Sequence, residues 1–307
     1  MSAWWRKNRR LLLQSAGTLL AVILLIALLR DGGWSEILEA FRKIKTANLL
    51  WVALLFFISR LAIIGRWHVL LRAGGVDIRF KDSASLTFTG LFASNFLPTT
   101  IGGDVVRLAG AMQMGFDRAV CLASIAADRL IGMAGMTMVL PLGVFHSWNL
   151  LENLPASLST FAWVRRPLAF LQRTLSVFSL WLRKPGALLG SLAFTWVHML
   201  CLFGSIYIFA GDLGTPVSFW MIAGLWSLTY FITLIPISVN GYGLQELSFT
   251  FFMTHVAGWT AGVSLSVAVL IRAFSILASL PGAFFIPAIM TVMAEQQEGT
   301  TYEGDLL

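Results

Sequence analysis

Eight ionisable side chains lie in stretches otherwise apolar enough to sit at membrane depth: Arg60, Arg66, Arg107, Arg129 and Arg272 against Asp104, Asp128 and Glu246. A central charge costs roughly 2.5–3.5 kcal/mol on insertion scales, so the set would cost on the order of 20 kcal/mol facing lipid. These groups must therefore pair or line an aqueous cavity. Five positive charges against three negative leave a surplus of two. Mutual pairing cannot absorb that surplus, whereas a phosphate would. Asp128 and Arg129 are adjacent and point about 100° apart on a helix, so each needs a partner on another segment. Arg66 falls near the expected end of its helix, where it can snorkel. Arg272 has apolar or small residues on both sides and nothing to snorkel to. The candidate substrate-binding set is Arg60, Asp104, Arg107, Asp128, Arg129, Glu246 and Arg272.

Two passages near these charges resemble each other. One reads Leu97-Pro98-Thr99-Thr100-Ile101-Gly102-Gly103-Asp104-Val105-Val106-Arg107; the other reads Ile235-Pro236-Ile237-Ser238-Val239-Asn240-Gly241-Tyr242-Gly243-Leu244-Gln245-Glu246. Aligned on proline, they share an aliphatic before it, a hydroxyl two after, a β-branched aliphatic three after and a glycine five after. On this alignment each ends at a charge, Arg107 in one and Glu246 in the other. Proline removes a backbone donor, and adjacent glycines let the chain leave helical geometry. The backbone set Pro98, Gly102, Gly103, Pro236, Asn240, Gly241 and Gly243 thus predicts two broken or re-entrant helices. In hydrocarbon the freed backbone groups must be satisfied by protein or water. The short helix after each break directs its N-terminal N–H groups back at it, which favours an anion there. Corresponding breaks in two halves point to a transporter-like site, here with inverted topology.

The elements that must position these groups follow from composition. The 307 residues are 57% hydrophobic and 12% charged, with a mean hydropathy of +0.79. Soluble domains carry about 25% charge, so the chain reads as an all-α polytopic transmembrane bundle. Clear spans run from Leu11 to Leu29, Leu49 to Leu71, Ala119 to Leu140, Ala187 to Ala210, Val217 to Ile235 and Gly262 to Ile286. Ala84 to Met114 and Leu244 to Val256 are apolar but irregular; counted as crossings, they give about eight. Arg6, Lys7, Arg9 and Arg10 place the N-terminus in the cytoplasm, and the acid-free stretch from Asn153 to Gly211 is also expected inside, with Phe161 to Leu182 an interfacial helix. This scheme requires Ala84 to Met114 to cross fully and puts both termini in the cytoplasm. The first span reads as a retained anchor. Residues 1–293 form one membrane domain, and 294–307 an acidic, disordered tail.

The formal charge is +7, with arginine the dominant base. For a membrane protein the anionic partner is lipid head groups and not nucleic acid, and arginine's planar fork grips phosphate bidentately. A GC-rich genome is the other source of an arginine bias. No P-loop, H-E-x-x-H, C-x-x-C or G-x-S-x-G occurs, and His68, His146, His198 and His255 have no ligand spacing. No catalytic residue, cofactor or metal is expected. Cys121 and Cys201 read as small core residues.

The strings NFLPTTIGGDVVR, AADRLIG around Asp128 and Arg129, PISVNGYGLQE and Gly65-Arg66-Trp67-His68-Val69-Leu70-Leu71 resemble the lysylphosphatidylglycerol synthase transmembrane-region family, also called flippase-like domain proteins. The likeness covers nearly the whole chain. In the multiple peptide resistance factor branch such a domain flips aminoacylated phosphatidylglycerol made by a separate cytoplasmic domain. The sequence carries no such domain, so lipid aminoacylation by this chain alone is not expected. Asn240 departs from the family's usual glycine, but asparagine tolerates positive φ. The resulting expectation is a bacterial cytoplasmic-membrane protein that binds or translocates an anionic phosphate-bearing lipid, either phospholipid or polyprenyl phosphate. The alternatives are a membrane transferase using Asp104 or Glu246 as base, and a non-transporting partner of an envelope lipid or glycan enzyme. Oligomeric state is open.

Overall fold

The computed structural model describes residues 38–39, 41–97, 102–148, 184–235 and 238–285. The described residues form an all-helical bundle whose elements fall into two series of four. The first is α1 (Thr46–Ala73), α2 (Phe80–Ser94), α3 (Gly102–Gln113) and α4 (Arg118–His146). The second is α5 (Pro185–Asp212), α6 (Phe219–Thr233), α7 (Leu244–His255) and α8 (Ala261–Leu277), continued by a 3-10 turn over Leu280–Phe285. Lengths match in order: 28, 15 and 12 residues in both series, then 29 residues in α4 against the 25-residue span Ala261–Phe285.

The turns match as well. A left-handed glycine stands two residues past each first helix, Gly75 and Gly214, and another three residues before each last one, Gly115 and Gly258. The residue before each last helix caps it through its side chain: Asp117 accepts from the Val120 N–H at 2.9 Å and Thr260 from the Val263 N–H at 3.3 Å.

The four outer helices are long enough to span a bilayer, and all four meet the length and hydropathy of candidate spans. At 1.5 Å per residue the 28-residue helices reach about 42 Å. The inner pairs do not: 15 and 12 residues give about 22 and 18 Å, short of the roughly 30 Å hydrocarbon core. Each pair is instead an antiparallel hairpin. Ser94 and Gly90 of α2 face Gly103 of α3, and Gly90 also faces Arg107. In the second series Trp226 of α6 stacks edge-on with Phe249 of α7, and Gly241 lies against Thr233.

The hairpins enter from opposite ends. Trp67, Leu71 and Ile78 cluster with Ala111 of α3 and Cys121 of α4, so the end of α1, both outer ends of the first hairpin and the start of α4 share one end, the lower. Lys184 donates to the Ala73 carbonyl, placing the start of α5 there too. At the upper end, Asn48 beside α1's start donates to Asp212 at the end of α5 (2.8 Å), and Phe219 packs on Phe203 and Tyr207. The second hairpin descends from there. The tips meet at mid-depth, where Tyr242 Oη donates to Asn95 Oδ1 at 3.4 Å, while Asn95 Nδ2 donates to Ser279 Oγ just past α8 at 2.8 Å.

The expected inverted repeat is thus present, with a correction to the span count. Ala84 to Met114 does not cross the membrane. Val217 to Ile235 and Leu244 to Val256 are likewise two arms of one hairpin. Hydropathy reads an apolar run as a span and does not register that the chain turns back within it. Consequently α4 starts at the end where α1 finishes, whereas a full crossing would have placed it at the other. The span Leu11 to Leu29, the helix over Phe161 to Leu182 and the tail 294–307 lie outside the described residues.

The larger core, with Phe56, Phe203, Phe209, Trp226, Phe249 and Met253, fills the upper half between α1, α5, α6, α7 and α8. Several hydroxyls are satisfied locally: half-buried Ser94 and buried Thr195, Ser205, Thr229 and Ser266 each donate to the carbonyl four residues earlier. Cys121 and Cys201 are free and buried, as expected of small core residues. Two contacts lock the repeats backbone to backbone. Gly143 of α4 touches Gly224 of α6, and Gly282 beyond α8 touches the Phe88 carbonyl of α2.

Candidate functional site

The tips place one carboxylate each at equivalent positions. Asp104 is the third residue of α3, and Glu246 the third of α7. A carboxylate there is favoured by the unsatisfied N–H groups of the first turn. Glu246 uses that directly, accepting the Gly243 N–H at Oε2 (2.8 Å). The arginines correspond too: Arg129 is the twelfth residue of α4 and Arg272 the twelfth of α8. Asp104 Oδ2 accepts from Arg129 Nε, and Glu246 Oε1 accepts from Arg272 Nε at 2.6 Å. Each repeat therefore ties its short helix to its following long helix with an ion pair at the equivalent position. The equivalent of Glu246 is Asp104, not Arg107 as the proline alignment implied. The alignment slips because three residues separate Pro98 from α3, whereas seven separate Pro236 from α7.

The first repeat carries three further charges. Asp128 accepts from Arg66 Nε at Oδ1 (2.6 Å) and from Arg107 Nη1 at Oδ2 (3.2 Å). Arg107 Nη1 also reaches Asp104 Oδ1 at 3.3 Å. The result is an alternating row, Arg66–Asp128–Arg107–Asp104–Arg129, with three positive charges and two negative. The Asp128 side chain is 4% exposed, whereas the far end of the row is open, with Arg129 41% exposed. As expected, Asp128 and Arg129 find partners on other segments. Arg66 does not snorkel: α1 continues past it to Ala73, and its second donor contacts Thr195 Oγ1 at 3.4 Å.

Arg107 holds the middle of the row. Its guanidinium lies over the Trp67 ring, 4.0 Å from the centroid, and Trp67 Nε1 in turn donates to Ser124 Oγ at 3.1 Å. One nitrogen, Nη1, serves both carboxylates. The other two, Nε and Nη2, are buried and have no hydrogen-bond partner. Those two form the side-on edge of the guanidinium, the geometry that accepts two oxygens of one phosphate or carboxylate.

The second repeat is simpler. Arg272 adds a 3.4 Å contact from Nη2 to the Gly241 carbonyl and lies 4.8 Å from the Tyr242 ring centroid. Its pair with Glu246 is neutral. The break itself is held in left-handed geometry by Asn240 (φ 47°), Gly241 (φ 71°) and Gly243 (φ 75°), so asparagine does take the positive φ expected of it. Gly102 and Gly103 open α3; Pro98 and Pro236 lie outside the described residues. Arg60 stands apart from both pairs. Its Nη2 donates to the Ser275 carbonyl at 3.0 Å, in the last turn of α8, where a cation meets the helix's negative end.

The candidate set left out Arg66, Trp67, Asn95 and Tyr242, although all four stand inside the passages quoted for the repeat or the resemblance. The signal available for Arg66 was the unmet demand of Asp128 for a partner.

The family described as lysylphosphatidylglycerol synthase TM region matches residues 14–165 and 159–282, most of the chain. The chain belongs to that family. The first matched stretch contains repeat one and the second repeat two. No curated protein matches in a direct sequence comparison. Membership and the four spanning helices together make this a multi-pass membrane protein of a family associated with lipid handling.

Proposed function

We propose that this protein binds an anionic, phosphate-bearing lipid head group at the row centred on Arg107 and passes it between leaflets of a bacterial cytoplasmic membrane. The observation that carries this reading is the unpartnered Nε–Nη2 edge of Arg107 inside a cluster with one positive charge in excess. A phosphate monoanion balances that excess and fits that edge. Lipid of phospholipid or polyprenyl-phosphate type satisfies the chemistry. A cavity of about 490 Å³ lined by Ile232, Leu247, Thr250, Phe251 and Phe252 runs along α7 to His255 at the upper end, which suits an acyl chain. At the lower end stand Arg72, Arg79, Lys81, Arg118 and Lys184; at the upper end stand Arg42, Lys43 and Lys45. The basic bias supports a cytoplasmic lower end, the end toward which α8 runs.

Binding is favoured over the transferase reading because each carboxylate of the site already accepts from arginine and none stands free as a base. The decisive experiment measures passage of a labelled anionic lipid in proteoliposomes. Arg107→Lys keeps the charge but removes the fork; it should slow passage about tenfold or more, the effect of losing about 1.4 kcal/mol or more of bidentate contact. Equal rates for wild type, Arg107→Lys and empty vesicles would refute the proposal. A covalently altered lipid would instead assign the transferase, and unchanged lipid passage with loss of envelope integrity in a deletion strain would assign the non-transporting partner.

A further inference from the structure

The hairpin arms do not have equal freedom. The first arms, α2 and α6, are fixed by the backbone contacts of Phe88 with Gly282 and of Gly224 with Gly143. The second arms, α3 and α7, are 12-residue helices joined to the long helix that follows by side-chain ion pairs: Asp104–Arg129, with Arg107–Asp128 behind it, for α3, and Glu246–Arg272 for α7. Because the repeats are inverted, α3 covers the route from the mid-depth tips to the lower end, and α7 the route to the upper end. Arg129 is 41% exposed and Arg272 16%, so the lower pair is the one an arriving anion can reach.

We propose that the two ion pairs are alternating latches on a single pathway. When a head-group phosphate takes Arg129 from Asp104 and then draws Arg107 from Asp128, α3 swings off α4 and opens the lower half while Glu246–Arg272 keeps the upper half shut. The inverted repeat supplies the mirror state, in which the second pair releases and the first is closed. No bond is made or broken; only the acceptor of each guanidinium changes. The trigger rests on the lipid reading above, but the latches can be tested without any measurement of lipid passage.

Each latch has a reporter beneath it at an equivalent site. Cys121, the fourth residue of α4, is fully buried against Ala111 of α3. Ser264, the fourth residue of α8, is fully buried with its Oγ 3.4 Å from Thr254 of α7. The experiment follows thiol reaction with a membrane-impermeant maleimide in proteoliposomes, using Cys121 in a Cys201→Ser background and Ser264→Cys in a background lacking both native cysteines. Asp104→Asn should accelerate labelling of Cys121 about tenfold or more and leave the Ser264→Cys site protected. Glu246→Gln should do the reverse. The charge-exchanged pair Asp104→Arg with Arg129→Asp should return Cys121 to its protected state, which a variant that merely misfolds would not do.

Acceleration of both reporters by either single variant would mean general loosening and overturn the proposal, as would protection of both in all variants. If the reporters respond as expected while labelled lipid does not pass, the latches stand and the lipid reading falls. If lipid passes while neither reporter responds, the converse holds.

Discussion

The two repeats share a backbone plan and one ion pair, yet they differ in how much charge surrounds it. Repeat one strings five charged side chains across α1, α3 and α4; repeat two has only Glu246 and Arg272. The shared pair is what the architecture requires to hold a short helix whose N-terminus stops at mid-depth. The additional Arg66, Arg107 and Asp128 are not required by the architecture, since repeat two folds the same way without them. On the proposed reading the difference divides the charge within one molecule: the shared pair is the framework that latches each short helix, and the surplus in repeat one is what would receive the head group.

Variants can break that comparison, beginning with the largest effect. Asp128→Asn leaves Arg66 and Arg107 sharing a neutral amide in a buried setting and should destabilise the protein by about 3–5 kcal/mol, the cost of removing one partner from a buried charge pair. Thermal unfolding in detergent, followed by tryptophan fluorescence, would measure it. Glu246→Gln should cost less, about 1.5–3 kcal/mol, because one charged hydrogen bond is lost while the amide oxygen still accepts the Gly243 N–H. Equal losses for the two would contradict the view that repeat one carries the heavier electrostatic load. Asn95→Ala removes the hydrogen bonds joining the first tip to the second and to Ser279 and should cost about 1 kcal/mol. Its effect on lipid passage should exceed its effect on melting temperature, because those bonds hold the two half-sites in register; a change in melting temperature alone would assign them to packing.

Much of this arrangement was legible in the sequence, and the failures have physical causes. Two proline-glycine breaks, the inverted relation between them and the demand of each buried charge for a partner on another segment all follow from local chemistry. The re-entrant path did not, because 15 apolar residues before a break look the same to hydropathy whether the chain crosses or returns. Nor did the true equivalence of Asp104 with Glu246, which depends on helix position and was obscured by a longer connection before α7. Arg66 was misplaced for a related reason: its depth is set by a helix that runs farther than its hydrophobic core. Arg60 was grouped with the site on charge alone, whereas its partner is a backbone carbonyl, which no residue letter announces.

The glycine contacts carry a consequence for how such a protein can change over time. At Gly143 against Gly224, and at Gly282 against Phe88, the touching atoms belong to the main chain. Main-chain atoms are the same whatever the side chains elsewhere become, so these two points act as fulcrums whose position is insulated from substitution at the tips. Charges can be added to one half and withheld from the other, as has happened here, without shifting the axis about which either half would turn. The same insulation makes the fulcrums brittle: even one methyl group at Gly143 or Gly224 would wedge α4 from α6 and displace the whole second hairpin, of which α6 is the first arm.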